Sequence, residues 1–139
     1  MSRRQLDCVL ARNHVARIAF YNGFRVELRP VHYVYSNGML FGRSSFDMKA
    51  VAWLIHPEVV LEVDEVDGVF DWRSVLVRGI VSVLQRGGTA AQHAEYWSAV
   101  EALRTFIPAT LTERDPTPER NALFRIEPAE LTGREARGR

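Results

Sequence analysis

The chain has 139 residues, a formal net charge of +1 and a single cysteine, so one domain is expected, long enough to bury a core without disulfides or a structural metal. With 47% hydrophobic and 25% charged residues, disorder and collagen-like repeats are excluded, and the balance of 18 basic against 17 acidic residues leaves no basic excess for nucleic acid. No uncharged apolar run approaches the roughly 18 residues of a membrane helix, and Asp7 and Arg12 interrupt any signal-like stretch, so a cytoplasmic protein is expected.

Leu6, Val9 and Leu10 recur at helical spacing and predict a helix over residues 3–13, with Asn13 as its stop. Cys8 lies in that pattern and reads as a small buried filler. From His14 the period changes to two: Ala16, Ile18 and Phe20 share one face of a strand. Asn22-Gly23 then turns the chain into a return strand with Phe24, Val26 and Leu28 on one face. That strand continues through Pro30 to Tyr35, where Pro30, lacking a donor N–H, marks an edge or an opening of the ladder. A second hairpin at Asn37-Gly38 leads into Met39-Leu40-Phe41. Ser44 or Ser45 caps a predicted helix from Phe46 to His56 with Met48, Val51, Ala52 and Ile55 as its apolar stripe, ended by Pro57.

Val59, Leu61 and Val63 alternate in a fourth strand. Asp64, Glu65, Asp67 and Asp71 read as a solvated acidic segment leading to Trp72. The β-branched run from Ser74 to Leu84 predicts a well-buried strand, broken by Gly87-Gly88. A helix over residues 90–107 follows, then a proline-containing loop over 108–120, and a last strand from Ala122 to Ile126; residues 132–139 are expected to be loose. Six strands in successive hairpins with few helices predict a mainly β fold with peripheral helices, a small antiparallel barrel in one domain spanning 1–139.

The four histidines share no ligand spacing with each other or with Cys8, and the acidic cluster lacks the spacing and glycine of a calcium loop, so no metal site is expected. There is no Gly-x-Ser-x-Gly elbow, Walker motif or dinucleotide fingerprint. What stands out is the junction Gly42-Arg43-Ser44-Ser45-Phe46-Asp47-Met48-Lys49, where a strand ends and a helix begins. A first helical turn presents unpaired N–H groups, and here hydroxyls, Arg43 and Lys49, the one lysine of the chain, add donors. That is either an anion site suited to a phosphate or an ordinary serine-capped helix with a solvated lysine.

The segment Gly38 to Ala50, ending in Lys49-Ala50, resembles the strand-to-helix junction of the pyridoxamine 5′-phosphate oxidase-like FMN-binding split barrels. His56-Pro57-Glu58-Val59 is similar to that family's Asn-Pro-x-Val, and Trp72 to Gly79 to its strand ending in glycine. Phe124-Arg125-Ile126 and Thr132-Gly133-Arg134 look like the end of the smaller relatives, which include the nitroimidazole-resistance group. The likeness runs from residue 5 to about 134.

The resemblance implies a six-stranded antiparallel split β-barrel that forms a homodimer and holds FMN in two clefts along the interface. Lys49 would bind the phosphate, with Gly42, Arg43 and Ser44 around it. Backbone near Pro30 and Val31, and His32 beside them, would follow the isoalloxazine ring. Ser74 stands where the parent oxidase has a glutamine that reaches the flavin of the partner subunit. Tyr33, Tyr35, His32 and Trp72 are candidates for the substrate side. Glu27, His32 and Met48 replace basic residues of the oxidase, and its C-terminal Trp and Arg segment is missing, so pyridoxamine 5′-phosphate oxidase activity itself is not expected. The implied function is a small flavin-dependent oxidoreductase of unidentified substrate and catalytic residues; an F420-dependent reductase and a non-catalytic flavin or haem carrier are alternatives on the same fold.

Overall fold

The computed structural model describes residues 1–45 and 48–138, with the backbone alone for residues 48–50. Its elements are α1 (Arg3–Arg12), β1 (Val15–Tyr21), β2 (Val26–Ser36), β3 (Met39–Ser44), α2 (Met48–Ile55), β4 (Glu58–Gly68), β5 (Asp71–Val83), α3 (Ala90–Arg104) and β6 (Ala122–Ala136). The six strands form a closed antiparallel barrel in the order β1-β2-β3-β6-β5-β4. Among the described residues no helix is long and apolar enough to cross a membrane.

Alternation puts Ala16, Ile18 and Phe20 of β1, Val31 and Tyr33 of β2, Val59, Leu61 and Val63 of β4, and Val75 and Val77 of β5 inside the barrel, all buried. Each end is stoppered by a helix. α1 starts with a capping box between Ser2 and Gln5 and inserts Leu6, Val9 and Leu10 where β1 begins. The Tyr33 hydroxyl donates to the Leu10 carbonyl at 2.6 Å and the Tyr35 hydroxyl to Asp7 at 2.8 Å, which ties α1 to β2. At the other end α2 inserts Ala52 and Trp53, whose ring packs edge-on against Phe20 and Phe124. On the outside, α3 covers Val34, Leu84 and Leu123 with Tyr96, Ala99, Val100 and Leu103.

Both Asn-Gly turns form. Asn37 and Gly38 take positive φ of 52° and 76°, as a tight hairpin between β2 and β3 requires. The loop between β1 and β2 is longer, because the Asn22 side chain accepts the N–H groups of Phe24 and Arg25 and holds four residues out of the ladder.

Several boundaries and burials differ from expectation. The acidic segment is not a loop: β4 and β5 pair through it as far as Gly68 and Asp71. Its carboxylates are matched by arginines, since Glu65 accepts from Arg12 at 2.6 Å, Asn13 at 2.7 Å and Arg73 at 2.9 Å, and Asp67 accepts from Arg73 at 2.8 Å. Residues 132–136 are not loose either. The extended first half of β5 needs a partner, and β6 supplies it up to the pair Trp72–Ala136, passing a register shift where Pro128 faces Gly79. The helix expected to reach residue 107 ends at Arg104. Cys8 is exposed on the outer side of α1, since the inward stripe there is already filled by Leu6, Val9 and Leu10.

Candidate functional site

β2 is held on both edges along only part of its length. Val26 to His32 pair with β1, whereas the other edge meets β3 only from His32 onward. Among the described residues, no strand pairs with that second edge over Val26–Val31. This is the split in the barrel. The Tyr33 N–H donates toward β1, to the His14 carbonyl at 3.0 Å. Backbone groups alternate sides along a strand, so those of Val26, Leu28 and Pro30 point to the open edge. Pro30 therefore sits where its missing N–H costs no ladder bond. The Leu28 carbonyl there accepts the guanidinium of Arg29 at 3.2 Å.

The electrostatics of this stretch also differ from expectation. Glu27 does not stand as an uncompensated acid. Arg25 and Arg29 each hold it at 3.0 Å, and the hydrogen bond from Arg25, first among the causes, keeps its carboxyl below the ordinary value. Two arginines against one glutamate leave the segment positive.

At the end of β3 the expected phosphate cluster is divided. The backbone of Lys49 lies in the first turn of α2, and its side chain is outside the described residues, as are Phe46 and Asp47. Arg43 does not face a free anion. Its side chain is 1% exposed and turns to the 108–121 loop. There it donates to Asp115 through both terminal nitrogens, at 2.7 and 3.2 Å, and to the Arg120 and Thr117 carbonyls at 2.8 and 3.1 Å. Four of the five guanidinium N–H groups are so engaged, and the carboxylate that neutralises the charge comes from a segment read only as a loop. The Asp-Pro-Thr-Pro run at 115–118 carried the available signal, an aspartate closing its own turn by accepting the Thr117 N–H at 2.9 Å. Gly42 also serves packing: a Cβ there would lie 2.2 Å from the Phe124 ring and 2.8 Å from the His32 carbonyl. Ser44 is buried and pairs with Ala122.

His32 is likewise turned away from an open cleft. Its Nδ1 lies 3.0 Å from the Arg120 guanidinium and its ring meets Phe106 edge-on. Partial burial, then the charges of Arg120 and Arg43, keep its pKa below the ordinary histidine value, which suits a neutral ring accepting from Arg120. Of the other named residues, Val31 is buried in the barrel. Ser74 donates to Glu62 at 2.7 Å on the outer wall of β5. Tyr33 and Tyr35 are spent on α1, and Trp72 pairs with Ala136 at the α1 end, so none of the three borders the split. Among the described residues no three His, Cys, Asp or Glu side chains gather as a metal site.

Two carboxyls carry an acid sensitivity. The Arg43 hydrogen bonds hold Asp115 down at about 2, and those from Arg12 hold Glu65 at about 2. A carboxyl whose folded pKa lies below its unfolded value stabilises the fold above the unfolded value, and that contribution is lost as pH falls toward the folded one. Urea midpoints should therefore be level above about pH 5 and drop steeply between about pH 4 and 2. The drop should shrink in Glu65→Gln.

None of the curated proteins matches the chain in sequence. Solved structures do match in fold. A FAD-binding protein from Mesorhizobium loti is 26% identical with a TM-score of 0.76, over 98% of this chain and 96% of that one. A FAD-binding protein from Mycobacterium smegmatis is 22% identical with a TM-score of 0.68, over 99% and 98%. A candidate 5-nitroimidazole antibiotic resistance protein from Bacteroides thetaiotaomicron is 12% identical with a TM-score of 0.71, over 95% and 82%. The fold of this chain is thus similar to that of proteins named for FAD binding. Over residues 2–135 the sequence matches the family model described as pyridoxamine 5′-phosphate oxidase, and the chain belongs to that family.

Proposed function

We propose that the protein binds the FMN moiety of a flavin along the open edge of β2 and acts as a small flavin-dependent oxidoreductase. The observation that carries this reading is the unpaired Val26–Val31 edge beside the β3–α2 junction. The pyrimidine end of an isoalloxazine carries one N–H between two carbonyls; the Leu28 carbonyl would accept that N–H and the Leu28 N–H would donate to one of the carbonyls, while Pro30 has no N–H for the other. The positive surplus of Arg25 and Arg29 over Glu27 favours a ring that gains negative charge on reduction. The phosphate would meet Lys49 and the first-turn N–H groups of α2, without Arg43. When bound, the flavin supplies the electron transfer; the chain's own residues hold the ring and shape the field around it.

The cleft is completed in this reading by a second copy. The outer wall beside the split is largely apolar, with Tyr21, Val26 and Ile80 exposed around a groove of about 450 Å³ and Leu28 exposed further along β2. The half-buried Ser74 lies on the wall of β5, where it would reach a partner's flavin rather than its own. Light scattering at micromolar concentration should give twice the chain mass. Leu28→Glu should yield monomer and lose flavin; a stable monomer of the parent protein would refute the shared cleft.

The test of the cofactor is the absorbance spectrum of freshly purified protein and the mass of the small molecule it releases on denaturation. A flavin is expected; a deazaflavin or a haem would replace this reading with the corresponding alternative. Lys49→Ala should weaken flavin binding about ten- to a hundredfold, since a charge-assisted phosphate contact contributes about 1.5–3 kcal/mol. It should leave the melting temperature unchanged. Turnover of pyridoxamine 5′-phosphate is not expected, because Met48 and His32 stand where the oxidase has basic residues and His32 is engaged by Arg120.

A further inference from the structure

A cavity of about 640 Å³ opens between the last turn of α2, the end of β5, α3 and the 108–121 loop. That is the size of a site for a small organic molecule. Its lining is apolar where it meets the barrel: Leu84 and Tyr96 are buried there, in the layer that packs α3 on the strands. Leu54 lines it from α2 and is 71% exposed. Leu111 lines it from a strained backbone. Its φ is 56°, the left-handed region that side chains of this bulk avoid. The Leu111 N–H donates to Asp115 at 2.7 Å, which holds that conformation. Asparagine or glycine would suit the turn better, yet a leucine stands there with its side chain on the cavity. Such strain collects where a side chain serves a ligand.

The charges say what would fill it. Among the described residues, the charged groups of the lining are Arg86 and Asp115. Asp115 is taken by its two bonds from Arg43, so no acid of the cavity is left for Arg86. The Arg86 guanidinium lies over the Trp97 ring, 5.7 Å from its centroid, within the range of a cation–π contact. The Arg86 carbonyl accepts the His93 Nδ1–H at 3.0 Å, which ties the residue to the start of α3. A guanidinium set over an aromatic ring keeps its N–H edge for an anion. One free cation above an apolar lining is the complement of a monoanion with an apolar body. A carboxylate carries one charge and fits the guanidinium fork in plane. A phosphate carries about two and would find no second free cation in this lining. Gln85 and Asn121 add neutral amide donors.

We propose that this cavity binds a small amphipathic carboxylate, with the carboxylate on Arg86 and the apolar body along Leu84, Leu111 and Leu54. Ala122 of the lining pairs with Ser44 on the side of β3 away from β2, so the site is separate from the open edge and does not depend on the flavin reading. The probe is octanoate, titrated by calorimetry beside octanol and octylamine, which share its body and differ in charge. The proteins are the parent, Arg86→Glu and Leu111→Asn. Octanoate should bind the parent at one site per chain, about tenfold or more tightly than octylamine. Arg86→Glu should weaken octanoate by about tenfold or more and leave octanol within about twofold. Leu111→Asn should weaken octanoate and octanol together, because it removes apolar wall and no charge. Arg86 is exposed, so its replacement reads the site even if Leu111→Asn folds poorly. Saturating FMN should leave octanoate affinity unchanged. Equal binding of octanoate and octylamine would overturn the proposal, as would octanoate indifferent to Arg86→Glu. So would displacement of octanoate by FMN, or no saturable binding at all.

Discussion

Asp115→Ala should cost the fold about 3–5 kcal/mol, the range for removing one partner of a buried ion pair. Both side chains of the Arg43–Asp115 pair are 1% exposed. Without the carboxylate, a buried guanidinium keeps its charge and loses the acceptor for two of its nitrogens. The Leu111 and Thr117 N–H groups lose theirs as well, at 2.7 and 2.9 Å. The damage therefore extends along the strap from residue 111 to 120, leaving it the Arg43 bonds to the Thr117 and Arg120 carbonyls and the Arg120 contact with His32 as its ties to the barrel strands. Urea unfolding at neutral pH measures the loss. The double variant Arg43→Met, Asp115→Leu should recover a large part of it, because two apolar side chains bury no unpaired charge. A loss below about 1 kcal/mol in Asp115→Ala would mean that water reaches the pair.

Gly42→Ala should lower stability by about 1–3 kcal/mol, an overpacking cost. The new methyl carbon would fall 2.2 and 2.7 Å from two ring atoms of Phe124 and 2.8 Å from the His32 carbonyl oxygen. Phe124 cannot yield freely, since it is buried and packs against Trp53, with ring centroids 4.9 Å apart. The carbonyl belongs to the paired part of β2 and is fixed by the ladder. Calorimetry should show a melting temperature lower by several degrees, while flavin affinity measured well below the transition stays at the parent value. The opposite pattern, unchanged melting with weakened flavin binding, would return Gly42 to the phosphate site.

The strands were legible where one face was buried and the other solvated, as in Ala16-Ile18-Phe20 and Val59-Leu61-Val63, because burial on a single face writes the period of two into the chain. The two Asn-Gly turns were legible for a local reason, the positive φ they accommodate. What escaped was set by distant partners. Glu65 and Asp67 look like a solvated run until Arg12 and Arg73 are brought to them across strands. The second half of β6 has no apolar period of its own and extends because β5 offers an edge. Arg43 carries the chemistry of a phosphate ligand, and only a residue 72 positions later decides that it is a structural cation. At the site, the Pro30 signal of an opening in the ladder held, whereas the side chains nearest the junction were claimed by packing.

The place of β6 in the barrel has a consequence for synthesis. It lies between β3 and β5 yet follows both in the chain, so a ribosome delivers it after every other strand. Until then β3 and β5 each wait with a bare edge, and the inward faces of Leu40, Val75 and Val77 have no lid. Such edges are templates for pairing with other nascent chains. The barrel closes by insertion of one strand between two others, not by growth at a margin, so no shorter product approximates it. A message truncated before residue 122 would yield a polypeptide with no closed barrel, whatever the length translated.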